Sequence, residues 1–317
     1  MPELPEVQTT ASMLNSLVKN KIILDVWTDY NSPYYKGKNN IKDPDFFKKF
    51  KKEVSNKKIV KVWRRAKNVL IDIEGNKTIL IHMKMTGHLL YGTYKSVGKR
   101  SGLKNLKRPD LEETDLQWIP IEPETLKDPF SRFIHLVFIL ENGKHIAFSD
   151  MRKFATVTLI SDKKALSKQF EKVGPEPLEN NFDWKILKER LLKKPSGKIK
   201  TVLMDTSVVA GIGNIYSDEI LWASKIHPER KVSSLTDLDI KEILKWIKKL
   251  LLKGIDFGGD SMSDYRNPLG EKGDFQNHHS AYRRTGKPCL RKGCEGKIVR
   301  KKIGGRSAHF CDTCQKK

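Results

Sequence analysis

The chain has 317 residues, enough for two domains or for one with appendages. Lysine and arginine number 61 against 38 acidic residues, a net charge of +23 that selects a polyanionic partner, nucleic acid ahead of an acidic membrane. A hydrophobic content of 38% supports a folded core, and no run of eighteen apolar residues is present to span a bilayer.

The chain opens Met1-Pro2-Glu3-Leu4-Pro5-Glu6. If Met1 is removed, Pro2 becomes a secondary amine, and an α-amino group titrating near ~8 is partly unprotonated and nucleophilic at neutral pH. Glu3, one peptide bond away, supplies an acid, and amine plus acid form a pair suited to covalent catalysis. Taken alone, the same residues more simply describe a stiffened lead into a helix. Two prolines and two glutamates do not make a basic-then-apolar export signal, so a cytoplasmic protein is expected.

Val7, Thr10, Ala11, Leu14 and Val18 then recur at helical spacing. Strand-like runs follow at 22–27, 59–63, 69–73 and 78–83, the last two joined by a Gly75-Asn76 turn. A second group occupies 135–140, 145–149 and 155–160. Short strands with turn signals predict a β-sandwich or barrel. Two polar stretches, 30–45 and 93–129, interrupt it and read as surface insertions.

From about residue 174 the pattern turns helical, at 184–192, 199–205, 215–223 and 239–252, with Pro195-Ser196-Gly197 and His227-Pro228 as breakers. Gly211-Ile212-Gly213-Asn214 feeds the third of these. Free N–H groups there favour an anion, which predicts a phosphate site with Asn214 as a side-chain donor; an ordinary turn capped by Asn214 is the plainer alternative. A Gly- and Asn-rich stretch at 258–279 leads to the cysteines.

Cys289, Cys294, Cys311 and Cys314 read C-x4-C-x16-C-x2-C, two close pairs across an arm that patterns as a β-hairpin around Gly304-Gly305. Four thiolates predict one structural Zn²⁺ with no open position for water, rather than a disulfide framework. Arg291, Lys292, Arg300, Lys301, Lys302 and Arg306 make the module basic. The chain thus divides into expected domains 1–165, 166–279 and 280–317: a sandwich with a leading helix, a helical DNA-binding unit, and a zinc-finger hairpin.

The opening Pro-Glu-Leu-Pro-Glu-Val, the Gly-Ile-Gly-Asn-Ile-Tyr segment and the terminal Arg-Ser-Ala-His-Phe-Cys-Asp-Thr-Cys-Gln together resemble the formamidopyrimidine-DNA glycosylases, grouped with endonuclease VIII. The resemblance implies a helix–two-turn–helix unit in the middle domain. It also implies a bifunctional glycosylase and AP lyase that excises oxidised purines and cuts the strand by β,δ-elimination. Pro2 is then the nucleophile and Glu3 the proton donor. Lys67, in Arg64-Arg65-Ala66-Lys67-Asn68, and Arg306 act on phosphate and elimination, with Glu6 and Glu219 as nearby acids. Met85, Arg152 and Phe154 fill the void left by a flipped base, and Lys200 holds a DNA phosphate. The implied partner is double-stranded DNA with damaged bases or abasic sites, met by a monomer without a membrane.

Four departures from the family pattern stand out. Lys84 replaces a glycine, Met151-Arg152-Lys153-Phe154-Ala155 replaces Pro-Arg-Arg-Phe-Gly, Phe133 replaces a DNA-contacting histidine, and the first cysteine pair is two residues wider, which should loosen that knuckle. An endonuclease VIII-like preference for oxidised pyrimidines and a non-catalytic zinc-finger DNA binder remain as alternatives.

Overall fold

The computed structural model describes residues 1–98, 116–262 and 264–317. Leu4, Val7, Ala11, Leu14 and Val18 fall three or four positions apart and therefore share one face of α1 (Leu4–Val18). The helix begins where the Glu3 N–H donates to the Glu6 carboxylate at 2.7 Å, and Pro5 occupies the first turn, where a missing N–H costs nothing. All five apolar residues are fully buried, yet not in one core. Val7 through Val18 belong to the core of the β-rich half, Leu4 to that of the helical half. The N-terminus therefore lies at the seam between the two.

The β-rich half is built from β1 (Ile22–Thr28), β2 (Lys57–Arg65), β3 (Asn68–Ile73), β4 (Lys77–His82), β5 (His88–Gly98), β6 (Leu116–Glu122), β7 (Ile134–Leu140), β8 (His145–Ser149) and β9 (Thr156–Ile160). They form an antiparallel sheet in the order β6-β5-β8-β7-β1-β2-β3-β4-β9. β1 and β2 pair only through Ile22 with Lys58 and Ile23 with Lys57, so the sheet folds over at that narrow join. Val26, Leu89, Phe138 and Phe148 of one layer then meet Val62, Ile71, Ile79 and Val157 of the other, giving the expected sandwich.

The two stretches read as surface insertions are in large part structural. Ile41 is buried in the sandwich core, and Asn40, Lys42 and Asp43 are buried beside it. Asp43 caps α2 (Pro44–Val54) through its Asp45 N–H contact at 3.0 Å, and Phe50 and Val54 seal the sheet. In the second stretch, β5 and β6 pair as a hairpin whose Trp118 packs on Trp27, ring centres 6.0 Å apart. A heavy load of lysine and proline hid these elements, masking the apolar stripe of Phe46, Phe47, Phe50 and Val54 in α2. Residues 99–115 of that stretch lie outside the described residues.

After the short α3 (Lys163–Phe170), the helical half comprises α4 (Trp184–Leu192), α5 (Ile199–Leu203), α6 (Asn214–Ala223) and α7 (Asp237–Asp256). Leu187, Leu203, Ile212, Ile220, Ile243, Ile247 and Leu251 form its core. α7 packs against α1, α4 and α6. At Gly254 the approach is so close that a Cβ would stand 2.3 Å from the Tyr216 hydroxyl and 2.9 Å from Pro5. The C-terminal hairpin, β10 (Ile298–Ile303) and β11 (Arg306–Cys311), docks its second strand on α6. Among the described residues no helix is long and apolar enough to cross a membrane.

Candidate active site and zinc centre

Glu3 is nearly fully buried, and its carboxylate is held by the start of α6. Oε2 accepts from Gly213 N–H at 2.7 Å and Tyr216 N–H at 3.3 Å, and Oε1 accepts from Ile215 N–H at 2.9 Å. The free amides and positive dipole end of a helix suit an anion, and here the anion is Glu3. This corrects the expected phosphate site: the helix terminus is filled by the protein's own acid. Gly213 rather than Asn214 is the N-cap, because a Cβ at 213 would lie 2.4 Å from the Glu3 carboxyl. Asn214 instead lines a cleft of about 170 Å³ together with Met1, Glu3, Met85, Met204, Ile215, Tyr282 and Arg306.

An adjoining small cavity is lined by Pro2, Glu6, Thr86, Asp260 and Tyr265, and shares Met1, Met85 and Ile215 with the cleft. Glu6 is fully buried there and accepts from Glu3 N–H at 2.7 Å, Asp260 N–H at 2.8 Å and the Tyr216 hydroxyl at 3.1 Å. Burial first, then the charge of Glu3, raises its pKa from 4.5 to about 7. Roomier clefts, about 540 Å³ beneath 36–39 and about 510 Å³ beside α3, contain none of the expected catalytic residues.

Lys67 sits on the turn between β2 and β3 with its ammonium buried and donating to Ile212 O at 2.8 Å. Burial lowers its pKa, the neighbouring Glu3 and Glu6 oppose that shift, and Arg306 adds to it. The turn is pinned by a residue that sequence inspection passed over. Glu176, from the stretch before α4, takes Arg64 at 2.6 Å, Arg65 at 2.8 Å and Ala66 N–H at 2.7 Å. Nothing in its local sequence, an acid between two prolines with Glu171 and Glu179 nearby, sets it apart.

Met85 faces the cleft while Met83, two residues earlier, is core. Lys84 adopts φ +56°, so this lysine keeps a left-handed conformation normally left to glycine. Arg152 and Phe154 are exposed, the guanidinium 4.5 Å from the ring centre. Their loop hangs on buried Asp150, whose carboxylate accepts from Thr86 Oγ1 at 2.5 Å and Ala155 N–H at 2.8 Å. Lys42 braces it from outside, donating to Lys153 O at 2.6 Å.

Two expected site residues are placed elsewhere. Lys200 is wholly buried, paired with Asp218 at 2.5 Å and bonded to Ser217 Oγ at 3.1 Å, so its charge is spent internally rather than offered to a phosphate. Asp218 in turn accepts from His309 N–H at 2.9 Å, joining α6 to β11. Glu219 lines neither cavity and accepts from the N–H groups of Ser280, Ala281 and Tyr282 at 2.7–2.9 Å. Burial raises its pKa despite those bonds. It anchors the lead into the cysteine module.

The four cysteine sulfurs lie within 4.8 Å of one another, with Cys289–Cys314 at 3.8 Å and Cys294–Cys311 at 3.6 Å. Four sulfurs placed ~2.3 Å from a common centre stand about 3.8 Å apart, so the set fits tetrahedral Zn²⁺. The wider first knuckle is absorbed by a turn with Gly293 at φ +74°. The Trp222 indole donates to Cys289 Sγ at 3.4 Å and Arg291 Nε to Cys314 Sγ at 3.3 Å.

Residues 1–157 match the formamidopyrimidine-DNA glycosylase N-terminal domain, 173–266 the formamidopyrimidine-DNA glycosylase H2TH domain, and 286–317 the zinc finger found in FPG and IleRS. The chain is 35% identical to a formamidopyrimidine-DNA glycosylase of Pelotomaculum thermopropionicum, covering 100% of this chain and 99% of that one. It is 32% identical to another from Heliobacterium modesticaldum over the full length of both. Among solved structures it is similar to Lactococcus lactis Fpg in complex with DNA containing an abasic site, at 31% identity and a TM-score of 0.79, covering 99% of this chain and 100% of that one. A complex of the same L. lactis protein with DNA containing FAPY-dG aligns over the same shares at 31% identity with a TM-score of 0.78.

Proposed function

The chain belongs to the formamidopyrimidine-DNA glycosylase family, and from that premise we infer that the cleft at its N-terminus is the reactive centre. The protein is a base-excision-repair DNA glycosylase with AP lyase activity. It acts on oxidised purines in double-stranded DNA and carries one structural zinc.

One observation carries the assignment of roles: Pro2, Glu3, Met85 and Arg306, from distant parts of the chain, line adjoining cavities within electrostatic reach of Lys67. With Met1 gone, the Pro2 amine attacks C1′ and the glycosidic bond to the damaged base breaks. Glu3 takes up the proton that the amine loses on attack and passes it to O4′, which opens the sugar and leaves an iminium on Pro2. The iminium acidifies C2′; loss of that proton expels the 3′ phosphate, and a second elimination expels the 5′ phosphate. Lys67 and Arg306 offset the charge of the phosphates. Met85, Arg152 and Phe154 enter the stack in place of the flipped nucleotide. Held by Cys289, Cys294, Cys311 and Cys314, a zinc ion would keep β10 and β11 in shape and so help place Arg306. Domain limits at 165 and 279, a monomer, and work at the nucleoid in the cytoplasm, where a chromosomal substrate lies, complete the proposal.

Borohydride trapping on an abasic duplex tests it. Wild type gives a covalent adduct; Pro2→Gly weakens it, and Glu3→Gln abolishes excision of 8-oxoguanine. Full trapping by protein whose intact mass still includes Met1 would overturn the role of Pro2. Faster incision of thymine glycol than of 8-oxoguanine would overturn the substrate preference.

A further inference from the structure

Arg266 is the largest fully buried side chain among the described residues, and nothing in the reaction above requires it. Its Nε and Nη2 both donate to Asp128 Oδ2 at 3.0 Å, and Nη1 donates to Tyr265 O at 2.8 Å. The guanidinium also lies 5.1 Å from the Phe130 ring centre. Asp128 and Phe130 belong to the β-rich half, whereas Arg266 follows α7 of the helical half. The same leg is tied at further points. Tyr91 N–H donates to Pro268 O at 2.6 Å, Thr125 Oγ1 donates to Leu269 O, and Gly270, at φ +81°, rests on the Thr125 carbonyl where a Cβ would stand at 2.6 Å.

What this leg holds is the wall of the small cavity. Tyr265, next to Arg266, donates its hydroxyl to Glu6 O at 3.0 Å. Asp260, at the other end of the stretch, donates its N–H to the Glu6 carboxylate at 2.8 Å. Both line the space beside Pro2. We propose that Arg266, latched to Asp128, is a positioning residue for base excision: it fixes the wall formed by Asp260 and Tyr265 against Pro2 by anchoring its outer leg to the β-rich half. This rests on the assignment of that cavity to the reaction. A wall that shapes the space for a damaged base matters while the base is still attached, and matters little once it has gone.

The test compares two reactions of the zinc-loaded full chain: single-turnover excision of a formamidopyrimidine from duplex DNA, and strand cleavage of a duplex with a preformed abasic site. A misplaced wall should slow excision by Arg266→Met between about tenfold and a hundredfold. Cleavage of the abasic duplex should change less than about threefold, and Arg266→Lys, which keeps a charged donor, should recover part of the loss. Amide exchange at 260–262 and 265 should accelerate in Arg266→Met. Asp128→Asn, which keeps an acceptor but loses the charge, provides a milder second variant if Arg266→Met folds poorly. Equal losses in both reactions, tracking thermal stability, would overturn the proposal, as would unchanged excision in both variants. Failure of wild type to excise the lesion would instead count against the proposed function.

Discussion

Replacing Glu6 by glutamine separates the charge of this carboxyl from its shape. Folding takes it from water into a fully buried site, raising its pKa from 4.5 to about 7. A carboxyl that binds its proton more tightly when folded contributes stability that is complete below the unfolded value and lost as pH rises through the folded one. The window is therefore pH 4.5 to about 7, and at ~1.4 kcal/mol per pH unit the loss across it is about 3 kcal/mol. The glutamine side chain has no proton to lose. It does place an NH₂ group against an N–H donor, since Glu6 accepts from both Glu3 and Asp260 amides, which costs about 1–3 kcal/mol at every pH. Urea unfolding of zinc-loaded protein at pH 5 and pH 8.5 should thus find Glu6→Gln clearly weaker than wild type at the lower pH. The gap should shrink by about 2.5 kcal/mol at the higher one, enough to vanish or reverse it. Parallel stability curves would refute the buried-carboxyl reasoning.

Gly213→Ala puts a methyl 2.4 Å from the Glu3 carboxyl; base excision should fall at least about a hundredfold in single-turnover assays, while affinity for undamaged duplex, read by anisotropy, stays near wild type. Glu176→Ala strands Arg64 and Arg65 without their shared acid; chemical denaturation should show a loss of about 3–5 kcal/mol, and strand cleavage should weaken as the Lys67 turn loosens. Cys311→Ser should lose zinc by metal analysis, lower DNA affinity and flatten its salt dependence, while the β-rich half still unfolds cooperatively.

The elements with a clean period were legible from residues alone. α1, α4, α7 and seven of the nine strands of the large sheet follow their apolar spacing. β6 was not, because Leu116–Glu122 carries one deeply buried side chain, Trp118, and a proline. α2 was not, because its six charged residues outnumber its four core contacts, Phe46, Phe47, Phe50 and Val54. At the site, sequence order named Pro2, Glu3 and Arg306 but not their relation. The anion at the start of α6 could be read as a type of group but not as an identity: the amides around Gly213 asked for a negative charge, and a glutamate 210 positions away supplies it. Lys200 shows the reverse error. The resemblance to the family implies a phosphate contact for it, yet the buried Asp218 claims it. Such pairings depend on contacts between distant residues, which a linear pattern does not record.

The division of α1 between two cores limits how this protein can move. Leu4 is embedded among α5–α7 residues, and the rest of the apolar face is embedded in the sandwich. Swinging one half away from the other would have to pull Leu4 from its socket, at about 2 kcal/mol for the side chain alone. It would also drag Glu3 off the α6 amides, and the adjacent Pro2 with it. A clamp that opens to admit its substrate is therefore at odds with keeping the reactive end assembled. The compliance falls to the duplex, which must bend and give up a nucleotide to a rigid tool, and lesions that soften the helix become easier to engage before any base is read.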